Sequence, residues 1–357
     1  LAKGVGETVG KGEMDKQSAR AREVPILVTG VAGFIGHAVA RRLLDHGHRV
    51  LGIDSLNAYY DPALKQARLA TLASEADFNF HRLDIADAPA LARLVQEHGA
   101  QCVVHLAAQA GVRHSIDHPF AYERSNLAGH LSVLEACRHA ATVRHLVYAS
   151  SSSVYGDRPL NDGGFREDDP VNAPVSLYAA TKRSCELMSE CYASLYKLPQ
   201  TGLRFFTVYG PWGRPDMAPW LFTSAILDGR PIDVFNGGRM RRDFTYIDDI
   251  VSGVVAAIDR PPVDDGEAKP GGSRHAHAIY NIGNSKPERL DDFIAAIEQA
   301  CGKQAVRQDR PMQPGDVPTT FADISAIRRD LGYAPTTPIG QGIPKFVRWY
   351  RRHVAGA

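Results

Sequence analysis

The stretch Pro25-Ile-Leu-Val-Thr29, running directly into Gly30-Val-Ala-Gly33-Phe-Ile-Gly36, decides the fold. Its first half is a short apolar run that reads as a buried strand. Its second half spaces three glycines at intervals of three, and Ala38-Val-Ala-Arg-Arg-Leu-Leu44 then continues with helical spacing. A strand, a glycine turn and a helix in this order predict a dinucleotide site. Gly30 makes the tight turn, Gly33 lets a pyrophosphate approach the backbone, and Gly36 lets helix and strand pack closely. The helix N-terminus then faces the phosphates. A second strand, Arg49-Val-Leu-Gly-Ile53, ends in Asp54, about twenty residues past the turn. A carboxylate there bonds the adenosine ribose hydroxyls and disfavours a 2′-phosphate, so NAD is expected rather than NADP.

The alternation continues outward from that unit. Asn79-Phe-His-Arg-Leu83 reads as a third strand, with Asp84 and Ile85 placed for adenine. Gln101-Cys-Val-Val-His-Leu106 reads as a fourth and ends in Ala107-Ala-Gln-Ala-Gly111, small residues that let a ligand reach the backbone. A helix over about 127–140 leads to a fifth strand, Arg144-His-Leu-Val-Tyr-Ala149, which ends in four serines, Ser150 to Ser153. Repeated units of this kind predict an α/β protein with a Rossmann-type doubly wound parallel sheet, its ligands beyond the carboxyl ends of the strands. Further on, Tyr178 and Lys182 stand four apart, on one face of a helix. A phenol titrates near ~10, and bringing it to about 7 for general-base work takes roughly 4 kcal/mol, which a neighbouring ammonium and a cationic cofactor ring can supply. By itself the pair is common in chains of this length.

The 357 residues suffice for about two domains, and a composition 44% apolar and 23% charged is that of an ordinary globular chain. A formal charge of +1 gives no general pull toward nucleic acid or membrane, and no apolar run approaches the ~20 residues of a membrane span. Cys102, Cys137, Cys185, Cys191 and Cys301 show no Cys-x-x-Cys spacing, so reduced buried thiols and a cytoplasmic location are expected. Residues 1–23, rich in Gly, Lys, Glu and Ala without an apolar period, read as a disordered leader.

Thr29-Gly30-x-x-Gly33-Phe-Ile-Gly36, His105-Leu-Ala-Ala108, Ser-Ser-Val154-Tyr155-Gly156 and Tyr178-x-x-x-Lys182 occur in the order and spacing of the extended short-chain dehydrogenase/reductase superfamily. From about Val24 to His353 the chain resembles the nucleotide-sugar epimerases of that superfamily. The resemblance implies NAD contacts at Gly30, Gly33, Phe34, Ile35 and Gly36, at Asp54, Asp84 and Ile85, at Leu106, Ala107, Ala108 and Gln109, and at Tyr178 and Lys182. It implies Tyr178 as the catalytic base, Lys182 as its partner and Ser151 as the hydroxyl that shares the reacting sugar oxygen. It also implies a homodimer, because in this superfamily the helix after Tyr178 pairs with its counterpart in a second subunit. The apolar face formed by Leu187, Met188, Cys191 and Leu195 equally fits intrachain core. Members that dehydrate a nucleotide sugar carry Thr-Asp-Glu before Val-Tyr-Gly, and members that decarboxylate a uronic acid carry Glu at the position of Ser153. Here Ser151-Ser152-Ser153 stands instead, so elimination lacks its acid and base, and Ser152 and Ser153 suit a polar substituent at C6.

The segment from Thr207 through Arg214 and Asp216 to Ala218 resembles the UDP-glucuronate 4-epimerases, with Thr207 where epimerases of neutral sugars usually have Asn. Arg214 is then expected near the sugar carboxylate, which a guanidinium matches in geometry and charge; the plain alternative is a solvated loop arginine. By the same resemblance Arg242 is expected at the UDP diphosphate. Gln313 and Asp316 fall in the loop that closes over the nucleotide, with Asp316 on a ribose hydroxyl. Asp248 and Asp249 read as helix-capping acids, and no metal is expected. Residues 264–278 read as a flexible surface loop with His275 and His277 exposed.

The organisation expected is an NAD-binding domain over 24–206, to which about 245–283 returns, and a smaller, mostly C-terminal α/β domain for a UDP-sugar over 207–353. The reaction expected from the resemblance is reversible C4 epimerisation of UDP-glucuronate to UDP-galacturonate. Two readings compete with it: a 4-epimerase of UDP-glucose or UDP-N-acetylglucosamine, and a non-catalytic NAD-binding regulatory protein.

Overall fold

The computed structural model describes residues 24–158, 164–311 and 319–354. In chain order the strands are β1 (Ile26–Thr29), β2 (Val50–Asp54), β3 (Phe78–Arg82), β4 (Cys102–His105), β5 (His145–Ser151), β6 (Gln200–Phe205), β7 (Thr207–Tyr209), β8 (Pro231–Phe235), β9 (Arg241–Tyr246), β10 (His277–Ile282), β11 (Pro287–Arg289), β12 (Val306–Arg310) and β13 (Thr319–Thr320). The longer helices are α1 (Phe34–Asp45), α2 (Pro62–Leu72), α3 (Ala88–His98), α4 (Gly129–His139), α5 (Leu177–Tyr196), α6 (Ala218–Asp228), α7 (Ile247–Ile258), α8 (Leu290–Cys301), α9 (Ser325–Leu331) and α10 (Ile339–His353).

Seven strands form the main sheet in the order β10-β6-β5-β4-β1-β2-β3, each pair parallel. Alternation along these strands feeds two separate cores. Ile26, Val28, Val50 and Val147 enter one with Val39 and Leu43 of α1 and Val251 and Val254 of α7. Leu27, Leu51, Ile53 and Leu146 enter the other with Leu91, Leu94 and Val95 of α3 and Val133 and Leu134 of α4. Both faces are therefore covered, which is why β1 reads as an unbroken apolar run. The chain is an α/β protein with a Rossmann-type sheet, as its opening stretch predicts.

Later segments build a smaller layer. The strand β9 pairs with β11, β13 and β7, while β12 pairs in parallel with β8. Phe244 of β9 stacks on Phe293 of α8 with ring centroids 3.8 Å apart. No helix among the described residues is long and apolar enough to cross a membrane.

Three local expectations change. The helix expected over 127–140 starts earlier, as a π-helical turn at Glu123–Ala128 that runs into α4. His277 is not an exposed loop residue. It is the buried first residue of β10, and its ring bridges the Tyr148 hydroxyl (2.9 Å) and the Glu190 carboxylate (2.8 Å). Asp249 does not cap its own helix: its carboxylate accepts the backbone N–H groups of Thr336 and Thr337 at 3.1 and 3.0 Å, tying α7 to the segment before α10. Partners this distant in sequence leave no local signal.

Candidate active site

A cleft opens beyond the carboxyl ends of β1 to β6, where β1 has β2 on one side and β4 on the other. Strand order reverses there, leaving a crevice for a ligand. Its lining includes Gly30, Gly33, Phe34, Ile35 and Gly36 of the glycine turn, Asp54, Asp84, Ile85, Leu106, Ala107, Ala108 and Gln109, together with Ser151, Tyr178, Lys182 and Arg214. The turn requires its glycines sterically. Gly30 has φ +72°, and a Cβ on it would stand 2.7 Å from the Ala107 nitrogen; a Cβ on Gly36 would stand 2.1 Å from the Gly30 carbonyl oxygen. The N-terminus of α1 has no side-chain cap and no acid in its first turn, so its leading N–H groups remain for an anion. These residues fit a dinucleotide diphosphate.

Asp54 is held firmly: Oδ2 accepts from the Ala32 N–H at 3.1 Å and Oδ1 from the Leu56 N–H at 2.8 Å. A carboxylate has about four lone-pair sites, so two remain for ribose hydroxyls. Asp84 is engaged by the Ala86 N–H and by Arg124 at 2.8 Å. Thr29 and His105 face each other across the β1 and β4 register, their side chains bonded at 2.8 Å, and the Thr29 hydroxyl also accepts the Ala107 N–H. Burial, then the charges on His130 and Lys182, drives the His105 pKa well below the usual imidazole value.

Ser176 caps α5 through the Ala179 N–H at 3.1 Å, which places Tyr178 in the first turn and Lys182 one turn on. Tyr178 is half-buried with the Tyr122 ring edge-on at 6.0 Å. Lys182 is buried, and its Nζ donates to the Ala149 carbonyl at 2.9 Å. That uses one of three ammonium donors. Ser151 ends β5, and its Oγ accepts both the N–H and the hydroxyl of Ser153, at 3.2 and 2.9 Å. Ser150 donates to Glu186 at 2.6 Å, and Glu186 in turn pairs with the buried Arg204 at 2.8 Å. Burial would raise the Glu186 pKa, but the Arg204 guanidinium outweighs it and holds the carboxyl below its ordinary value.

Arg214 forms a two-bonded pair with Asp216, Nε donating at 3.0 Å, and the Tyr59 hydroxyl donates to the same carboxylate at 2.9 Å. Burial, reinforced by the Asp216 charge, pushes the Tyr59 phenol up to about 12. Ser152, Ser153, Thr207 and Arg242 lie outside the cleft lining, although Phe206 and Val208 on either side of Thr207 belong to it. Gln313 and Asp316 lie outside the described residues.

Several residues escaped sequence reasoning. Asn126, in the π-helical turn, accepts the Gln109 N–H at 2.8 Å and donates to the Gln109 carbonyl and the Thr181 hydroxyl, locking the loop after β4 to α5. The only hint in the sequence was a polar residue at the head of an apolar helix. Tyr59 and Asp216 meet across 157 positions of chain, and no pattern in the sequence announces that.

A glycine turn, a Tyr178–Lys182 pair and a serine-ended fifth strand facing one cleft define a dinucleotide-dependent enzyme class. Residues 26–283 match the model of the NAD dependent epimerase/dehydratase family, and the chain belongs to that family. More particularly, a Rhizobium meliloti protein described as a probable UDP-glucuronate 4-epimerase is 45% identical, over 91% of this chain and 96% of its own length. Protein CapI of Staphylococcus aureus is 47% identical over 91% of this chain and 98% of its own length. Among solved structures, UDP-glucuronic acid 4-epimerase from Bacillus cereus, in complex with UDP-glucuronic acid and NAD, is similar with a TM-score of 0.83 and 34% identity, covering 92% of this chain and 99% of that one.

Proposed function

We propose that this protein interconverts UDP-glucuronate and UDP-galacturonate by inversion at C4 through a 4-keto sugar, with NAD held in the cleft. The observation that carries the reading is that Tyr178, Lys182, Ser151 and Arg214 line the same cleft as the glycine turn. The relatives of known name support it, since two of those cited are UDP-glucuronate 4-epimerases by description.

NAD bound there supplies the acceptor and then the donor of the C4 hydride. Tyr178 takes the 4-hydroxyl proton and later returns it, and Ser151 shares that oxygen. The Lys182 ammonium stabilises the phenolate and offers its remaining donors to the nicotinamide ribose. The oxidised sugar is a β-keto acid prone to lose CO₂, so its carboxylate must be held where that bond resists breaking. Arg214, which lines the cleft, is assigned to that carboxylate, the hydroxyls of Ser152, Ser153 and Thr207 are proposed to border it from outside the lining, and no side-chain carboxylate stands at positions 151–153 to promote elimination. Arg242 with Gln313 and Asp316 is assigned to the UDP moiety, within a mainly C-terminal substrate domain.

We also assign a homodimer through α5. Leu187 and Leu195 are 52% and 71% exposed, and Cys191 and Tyr196 are exposed beside them, whereas Met188 of the expected face packs against the core. A contiguous apolar face of this kind calls for a partner surface. The cysteines are free thiols, which suits the cytoplasm.

The deciding experiment incubates the protein with UDP-glucuronate and NAD, without added reductant, and identifies the product. UDP-galacturonate is expected. A UDP-pentose with released CO₂ would overturn the reading, faster turnover of UDP-glucose would favour a neutral-sugar epimerase, and absence of turnover would favour a binding protein.

A further inference from the structure

Arg68, on α2, is a fully buried arginine that the reaction does not use. Among the described residues its hydrogen-bond acceptors are neutral. Nη1 donates to the Ala32 carbonyl at 2.9 Å and to the Tyr60 hydroxyl at 2.7 Å. Nη2 donates to the carbonyls of Trp212 at 2.6 Å and Gly213 at 3.1 Å, and Nε also reaches the Trp212 carbonyl at 3.1 Å. The Asp54 charge favours the guanidinium without bonding it, but burying a charge whose bonded partners are all neutral is costly, and a hydrophobic side chain would fill such a space more cheaply. The identity of the acceptors explains the expense. Ala32 lies inside the glycine turn, between Gly30 and Gly33, and Gly213 immediately precedes Arg214.

We propose that Arg68 is a positioning residue that couples dinucleotide occupancy to the geometry of the sugar loop, because one guanidinium holds the glycine-turn carbonyl of Ala32 and the Trp212 and Gly213 carbonyls in a single rigid register. The same segment adds a second link, as Tyr59 bonds Asp216, the partner of Arg214. A third runs behind it: the His37 ring of α1 packs edge-on against Trp212 at 5.5 Å and bonds Thr71, whose hydroxyl donates to the Arg68 carbonyl. The planar five-donor fork is what spans the two loops; a lysine ammonium keeps the charge but cannot reach carbonyls on both sides with fixed geometry. Displacing either loop breaks bonds to the other, so filling one subsite favours the filled arrangement of the second, and the effect is reciprocal.

The inference rests on the proposed function for its sugar ligand, and its test separates the two. In a Tyr178→Phe background, which removes turnover, NAD affinity is measured by calorimetry with and without saturating UDP-glucuronate, and again with UDP alone. The nucleotide sugar is expected to tighten NAD about fivefold or more. Arg68→Lys is expected to bring that factor to within about twofold of one while UDP affinity stays within twofold of the parent. An unchanged coupling factor in Arg68→Lys overturns the inference and leaves the proposed function standing. Failure of the parent to bind NAD or UDP-glucuronate at all overturns both. Should Arg68→Lys not fold, Arg68→Gln serves in its place: a neutral amide cannot bond carbonyls of both loops at once, so the coupling must weaken, and unchanged coupling there overturns the inference.

Discussion

Tyr178 and Lys182 sit one helical turn apart on α5, and the Lys182 ammonium rests on the Ala149 carbonyl, so the proposed base and its cation share a rigid strand-to-helix frame. Removing the phenol leaves that frame intact. Tyr178→Phe is expected to lower kcat about 10²- to 10⁴-fold while NAD affinity, read by fluorescence titration, changes less than about twofold; wild-type turnover in the variant would remove Tyr178 from the chemistry. Arg214 gives two donor groups to Asp216, which leaves part of a five-donor fork for a second carboxylate. Arg214→Gln is accordingly expected to raise KM for UDP-glucuronate roughly tenfold or more, the value of one charge-assisted contact. Equal losses with UDP-glucuronate and UDP-glucose would place the arginine away from the acid group. The two residues differ in legibility. Tyr178 and Lys182 were readable because a spacing of four is local and the family motifs around it single the pair out, whereas the Asp216 and Tyr59 neighbours of Arg214 depend on a contact 157 positions long.

The glycine turn and α5 show what elements add. In the turn, a Cβ at Gly36 would meet backbone rather than a yielding side chain, so α1 must move away from β1. Gly36→Ala is expected to weaken NAD binding at least tenfold and lower the melting temperature, because the helix N-terminus proposed to face the diphosphate shifts with it. Retained NAD affinity would show that the turn tolerates the shift. The α5 face poses the opposite problem. Its apolar period was plain in the sequence, but period alone does not say what covers a face, and the fold leaves Leu187 and Leu195 uncovered. Replacing both leucines by Asp puts four like charges into the proposed two-fold contact. Sedimentation should then report a monomer, with little change in monomer stability since neither side chain is in the core.

Across the whole molecule, buried histidines set the response to acid. Burial lowers His37 to about 4, with Arg68 and Arg41 adding to it, and lowers His145 to about 4 and His130 to about 3. These groups stay neutral in the fold but take up protons in the unfolded chain near pH ~6.5. Their contribution is complete above ~6.5 and is lost as pH falls toward 4, roughly 2 kcal/mol each by pH 5. Asp243, pushed up to about 6 by burial, works in the opposite sense, favouring the fold as it protonates below that pH. Burial raises the Glu167 carboxyl in the same sense, but the three histidines outweigh the two carboxylates, so the melting temperature is expected to fall between pH 7 and 5, with net proton uptake on unfolding. A flat or rising profile would show these rings charged in the native state. Such linkage was invisible in the sequence, where His37, His130 and His145 are ordinary helix and strand positions. What the sequence determined by itself was the parallel sheet, the glycine turn, Asp54 and the Tyr178–Lys182 pair, because each follows from periods and spacings within one strand-helix unit. What only the tertiary structure decided was which distant groups meet: Arg68 between two loops, Asn126 between Gln109 and Thr181, and Asp216 at Arg214. Local spacing fixes secondary structure and its exposed ends, while the partners of buried polar groups are chosen by packing across the sheet, where the requirement that each be satisfied acts on the folded chain as a whole.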